Sequence, residues 1–172
     1  MGNVNNPHGF RPLMRSVTGG PGQACVGAHK TAAIGSPLFI QDAVALSGAG
    51  TKPTAAVGPA TVASAIYGVN LIYGAGLTAT DHLIILGHLQ MFEAQIDTVT
   101  VAQLTMNAAL VAGAGNAALH ISGHSLNGVA VTNTLAVKLM GLYQSPDNGA
   151  GANARVIVTF NKSQLADQTA GA

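Results

Sequence analysis

The chain has 172 residues and a mass of 17.1 kDa, enough for one domain or two small ones. Seven Lys/Arg and six Asp/Glu make only 8 % of it charged, with a net charge of +1, against about 25 % charged in an ordinary domain. This excludes the clustered basic surface that nucleic-acid binding requires, the 48 % hydrophobic content excludes intrinsic disorder, and a single cysteine, Cys25, excludes an internal disulfide.

The low charge has a further consequence. A folded monomer of this mass exposes ~7,800 Å², so its charges are spread at about one per 600 Å². Such a surface keeps a free protein poorly soluble and favours association. Thirty Ala and 22 Gly give it a small-residue character suited to close backbone packing.

Residues 1–22 predict an extended N-terminal arm. Pro7, Pro12 and Pro21 with Gly9, Gly19, Gly20 and Gly22 forbid a helix and interrupt any strand. Phe10 and Leu13 offer apolar anchors beside Arg11 and Arg15. The segment reads either as a frayed terminus or as a strap lying on a partner. Met1–Asn6 lacks a basic region followed by an apolar run, so no secretory leader is expected. Asn6 stands where a myristoylation motif wants Ser or Thr.

From Gln23 the pattern changes to short β-type runs between Gly/Pro/Asn clusters. Residues 23–30 form a weak candidate strand and Leu38–Leu46 a better one. Ile66–Tyr73 is β-branched and aromatic and stops at Gly74-Ala75-Gly76. The uncharged stretch between Lys52 and Asp81 is long enough to cross a bilayer. Its alternation, and Gly58, Pro59, Ser64, Asn70 and Gly74 within it, argue against a membrane partner. His82–Leu86 and Met91–Ile96 are strands flanking Gly87. Thr100-Val101-Ala102-Gln103 matches a capping box, Val101, Leu104, Ala108 and Val111 share one helical face, and Gly113 supplies a stop, which predicts one short helix. Thr134–Tyr143 and Arg155–Phe160 alternate as strands around the turn signal Ser145-Pro146-Asp147-Asn148-Gly149. Residues 163–172 read as a tail.

The fold class expected is mainly β: an antiparallel β-barrel or β-sandwich with one short helix and an extended N-terminal arm. The organisation expected is an arm over 1–22, a single β-rich domain over 23–162 and a tail over 163–172.

Candidate chemistry is thin. His120 and His124 have ligand spacing for a helix, but Ile121-Ser122-Gly123 does not favour one. His82 and His88 bracket a strand with Gly87 disturbing the register. Glu93 and Asp97 share a strand face and read as a solvated edge rather than an acid/base pair. Cys25 and His29 have no orienting acid nearby. Gly113-Ala114-Gly115 lacks the third glycine of a phosphate loop and follows a predicted helix rather than a strand. No enzyme, no cofactor and no metal site are expected.

Three segments carry a resemblance. Asn6-Pro7-His8-Gly9-Phe10-Arg11-Pro12-Leu13 resembles the opening of capsid decoration (cement) proteins of tailed bacteriophages, which often begin with an Asn-x-Pro-x-Gly-Phe-Arg-Pro pattern. Met91-Phe92-Glu93-Ala94-Gln95 resembles the Phe-Glu-x-Gln strand of the same family. So does Pro146-Asp147-Asn148 followed by Ala154–Lys162. The patches run from about residue 6 to 162, and none is a catalytic signature. The chain departs from the family where Gly87-His88-Leu89 replaces an acidic pair ahead of the Phe-Glu strand.

The resemblance implies a virion structural protein, on the capsid exterior after synthesis in the host cytoplasm. It would bridge neighbouring subunits of the major capsid protein, stabilise the mature head and associate with itself as a trimer. It implies a capsid-binding arm of Phe10, Arg11, Pro12, Leu13 and Arg15, with the arginines pairing acidic groups and the apolar residues filling small pockets. The alternatives are another phage component, of the tail or a minor head protein, and a non-viral self-assembling β-protein.

Overall fold

A computed structural model describes residues 3–16, 26–30, 37–47, 54–57, 65–75, 81–86 and 90–163. Two β-sheets account for nearly all regular structure among them. The first contains β1 (Arg11–Ser16), β7 (Gln90–Val99), β8 (Asn107–Val111), β9 (Ser125–Ala130), β10 (Val137–Leu142) and β11 (Gly151–Phe160). The second contains β2 (Val26–Lys30), β3 (Ala43–Ser47), β4 (Thr54–Val57), β5 (Gly68–Asn70) and β6 (Asp81–Leu86), antiparallel in the order β2-β6-β5-β3-β4.

The first sheet closes on itself. Its order is β1-β7-β11-β10-β8-β9, and a parallel contact between Ile96 of β7 and Leu126 of β9 joins the ends of a five-stranded barrel. Strand β1 is appended outside the closure, paired antiparallel to β7. The longest ladder, β7 with β11, runs from Val99 opposite Gly151 to Phe92 opposite Val158. The barrel resolves the expected choice between barrel and sandwich.

Alternation fills the barrel. Phe92, Ala94 and Ile96 of β7 are fully buried beside Ala154, Val156 and Val158 of β11. Ala43, Ile66, Val69 and Ile85 of the second sheet and its flanks join the same apolar cluster, so the two sheets share one core.

One expectation is corrected here. The short helix is a single 3-10 turn, Val101–Gln103, followed by strand β8. Gln103 does reach back, its Oε1 accepting from the Thr100 backbone N–H at 2.9 Å. No residue of the turn is buried and Val101 is exposed, so no apolar face could dock a longer helix. Ala108 and Leu110 instead enter the core in a strand between β10 and β9. Gly113 is therefore not a helix stop. A Cβ on it would lie 2.1 Å from the Gly123 carbonyl oxygen, so two backbones cross there at contact distance.

The described part of the N-terminal arm is docked on the body. Residues 11–16 form β1, and Phe10 is completely buried. Pro12 is tolerated because β1 lies at the sheet edge, and the register shifts between Pro12 and Ser16. Such irregularities blunt edges against unwanted pairing. Strands were also missed at β4 and β9, whose sequences are short or lack clean alternation. Most of the expected tail, 164–172, lies outside the described residues; Ser163 is buried and bridges Ile66.

Candidate functional site

Strand β7 is buried on both faces. Phe92, Ala94 and Ile96 enter the barrel, which turns Glu93 and Gln95 to the other side, where both are still buried. What covers them is the N-terminal segment. The Asn6 backbone N–H donates to Gln95 Oε1 at 3.1 Å, and Gln95 Nε2 donates to the Val4 carbonyl at 2.8 Å. Asn3 Nδ2 donates to the carbonyls of Gly149 and Ala152 at 2.9 and 2.8 Å, and its Oδ1 accepts from the Gly149 N–H.

The far end of the segment is fixed more deeply. Gly9 has φ +77°, and a Cβ there would lie 2.3 Å from the Gln41 carbonyl oxygen. Only glycine turns the chain so tightly at that point. Phe10 then packs edge-on against Phe92 and Phe160, with centroids 6.4 and 5.3 Å away.

Glu93 sits at the centre of a charge cluster. Its side chain is 2 % exposed. Arg155 Nη1 and His8 Nε2 stand 3.7 and 3.8 Å from Oε1, and Arg11 Nη1 stands 3.9 Å from Oε2. All three exceed hydrogen-bond length, and Oε2 is buried without a hydrogen bond. Burial holds the His8 imidazole below its ordinary basicity, against the opposing pull of Glu93.

Arg155 is positioned from the other side. Its Nη2 meets Asp147 Oδ1 at 2.6 Å, and its guanidinium lies over the Tyr143 ring. The Ser145 hydroxyl bonds Asp147 and, with the local backbone and then Arg155, holds that carboxyl below its usual range. Asn148 clamps the turn by donating to the carbonyls of Tyr143 and Arg155 at 2.7 Å each. A pocket of about 280 Å³ opens between the N-terminal segment, Gln95, Asn153 and Arg155, with Glu93 in its wall.

The remaining candidates do not assemble. His124 is buried against Asp42, whereas exposed His120 stacks on Tyr73 at 3.9 Å, so the two histidines serve different contacts. Glu93 is buried among cations while Asp97 is exposed. Cys25 and His88 lie outside the described residues, as do the side chains of His29 and His82, whose backbones pair in β2 and β6. Gly115 packs against the Phe39 ring. Among the described residues no group of three metal-ligating side chains occurs.

The five residues of the expected capsid-binding arm separate. Phe10 is a core residue, which corrects its reading as an exposed anchor: a ring with no accessible surface has none to offer a partner. Arg11 is 64 % exposed at the pocket mouth, and Pro12 and Leu13 are half-buried along the edge strand. Leu13 donates no side-chain contact to the site, but its carbonyl accepts from Gln90 Nε2. The Arg15 side chain lies outside the described residues. Sequence reasoning missed His8 and Arg155 as partners of Glu93, and Asp147 as the partner of Arg155. No family model, curated protein or solved structure matches the chain.

Proposed function

We propose that this chain is a virion structural protein that binds the outside of a tailed-phage head and bridges neighbouring subunits of its major capsid protein. The observation that carries the reading is a convergence. The segments resembling decoration proteins, residues 6–13, 91–95 and 146–148 with 154–162, are far apart in sequence but meet around Glu93. A shared pattern in three segments that meet in space is what one inherited binding or locking device would leave.

The mechanism is mechanical. β1 ends its sheet, and its outer edge is unpaired among the described residues. Pro12 and the register shift break its regular pairing, so it offers a neighbouring subunit a short run of main-chain hydrogen-bonding groups rather than a long open edge. Arg11 beside it supplies a charge-assisted contact to an acidic group. A stable contact buries about 1,200–2,000 Å² in total. Repeated over a shell, such contacts reinforce one another through effective concentration, and ligation of the folded shell stabilises it. Sparse charge suits a surface completed by neighbours, and closed self-association as a trimer follows the same logic.

The test is cosedimentation of the purified full chain with tailed-phage heads stripped of accessory proteins. Saturable binding at a fixed ratio to capsid subunits, with a raised head melting temperature, is expected. A chain that leaves both sedimentation and melting of the heads unchanged overturns the reading.

A further inference from the structure

We propose that the pocket beside Glu93 binds a neutral polyhydroxyl ligand, a single pyranose sugar unit. This goes beyond head binding and does not rest on it. The volume of about 280 Å³ lies just below the ~300–1,000 Å³ typical of drug-sized sites, so one small ring is the scale that fits.

Charge selects a neutral occupant. Two guanidiniums, of Arg11 and Arg155, face two carboxylates, of Glu93 and Asp147. A cation entering would meet both arginines. An anion would meet a carboxylate that is 2 % exposed. His8, which burial keeps neutral, adds no charge.

Spacing selects the hydroxyl. A carboxylate only accepts and a guanidinium only donates, whereas a hydroxyl does both through one oxygen. The separations of Glu93 Oε1 from Arg155 Nη1 and His8 Nε2, 3.7 and 3.8 Å, are too long for direct hydrogen bonds. They suit an oxygen placed ~2.8 Å from each end. That hydroxyl donates to Glu93 and accepts from Arg155. A second hydroxyl accepting from Arg11 draws this exposed guanidinium towards Oε2, the buried oxygen that receives no hydrogen bond.

The pocket wall supplies the rest. The carboxamides of Asn6 and Asn153 face it and make no side-chain hydrogen bond to other described residues. Each offers donors and an acceptor to further ring hydroxyls. Val4, 76 % exposed at the rim, gives an apolar contact for ring C–H groups.

The experiment is a nitrogen-15 NMR titration of the full chain with D-glucose, D-galactose and N-acetyl-D-glucosamine, with acetamide as a neutral non-sugar probe. At least one sugar should give saturable shifts of the arginine Nε–H signals and of the Asn6 and Asn153 amide side chains. Glu93→Gln should weaken that sugar at least tenfold. Asn153→Ala, at the rim, should weaken it severalfold even if Glu93→Gln fails to fold. Shifts that rise linearly with every sugar, equal saturation by acetamide, or affinity unchanged in the folded variants each overturn the proposal.

Discussion

His124 and Asp42 join the barrel to the second sheet through one buried contact. His124 Nε2 lies 3.5 Å from Asp42 Oδ1, and both side chains are at most 3 % exposed. His124 Nδ1 accepts the Ala43 backbone N–H at 3.2 Å, so the neutral ring carries its proton on Nε2, facing the carboxylate. Asp42 Oδ2 accepts the Phe39 N–H at 2.7 Å, its Oδ1 is buried without a hydrogen bond, and the Ser122 hydroxyl oxygen accepts the His124 N–H at 3.0 Å. The pair is a polar rivet, enclosed too completely to meet a substrate.

Stability should therefore fall on acidification. Burial lowers the His124 basicity, against the pull of Asp42, and protonating Nδ1 would break the bond from Ala43. Burial lowers His8 as well. A group whose folded pKa lies below its unfolded value stabilises the fold above that unfolded value, here 6.5, and loses the contribution as pH falls towards the folded one. Asp42, raised by burial against the pull of His124, has the opposite sign, and its effect lies in the range above 3.8. Urea midpoints measured between pH 8 and 5 should decline on the acidic side. In His124→Gln the decline should be shallower, and an equal slope in both proteins would contradict this account.

Phe10 should behave as a core residue. Its ring has no exposure and completes a three-ring cluster in which Phe92 and Phe160 stack at 4.9 Å. Phe10→Ala should cost about 3–5 kcal/mol in urea unfolding. Val4→Ala, at a 76 % exposed position of the same segment, should stay within ~0.5 kcal/mol. Equal effects of the two would mean that the segment does not dock as a unit.

The crossing of Gly113 and Gly123 should tolerate no side chain. A Cβ at Gly123 would lie 2.1 Å from the Ala114 carbonyl oxygen, and backbone cannot yield as a flexible side chain can. Gly123→Ala should destabilise by more than ~1 kcal/mol, the reverse of the small gain a strain-free Gly→Ala gives. Gly149→Ala, with nothing within 4 Å of the added carbon, is the matched control.

Much of the fold was legible because alternation is local. Val137 to Met140 and Ala154 to Val158 bury alternate residues, and the turn between the two strands carries its own Ser-Pro-Asp-Asn-Gly chemistry. The helix was misread because Val101, Leu104, Ala108 and Val111 fit a helical stripe as well as Ala108 and Leu110 fit a strand face, and only the β9 and β10 partners decide between them. The docking of the arm was not legible because its prolines and glycines describe a backbone, not what that backbone packs against. Glu93 looked like an edge carboxylate because its cover comes from residues more than 50 positions away in both directions. No local pattern announces His8 and Arg155 as its neighbours.

Arg11 is where the two faces of the molecule separate. Its guanidinium is 64 % exposed and touches Glu93 only at 3.9 Å, so its removal should change stability by less than ~0.5 kcal/mol. If it also pairs an acidic capsid group, Arg11→Ala loses a hydrogen bond between charged partners, worth about 1.5–3 kcal/mol. That is a drop in affinity for stripped heads of roughly ten- to a hundredfold. Its charge dependence should appear as weaker binding of the unaltered chain at higher salt, with the variant less sensitive. Unchanged head affinity in a folded Arg11→Ala chain would place the contact elsewhere on the edge strand, and a large stability loss would make Arg11 part of the lock over Glu93.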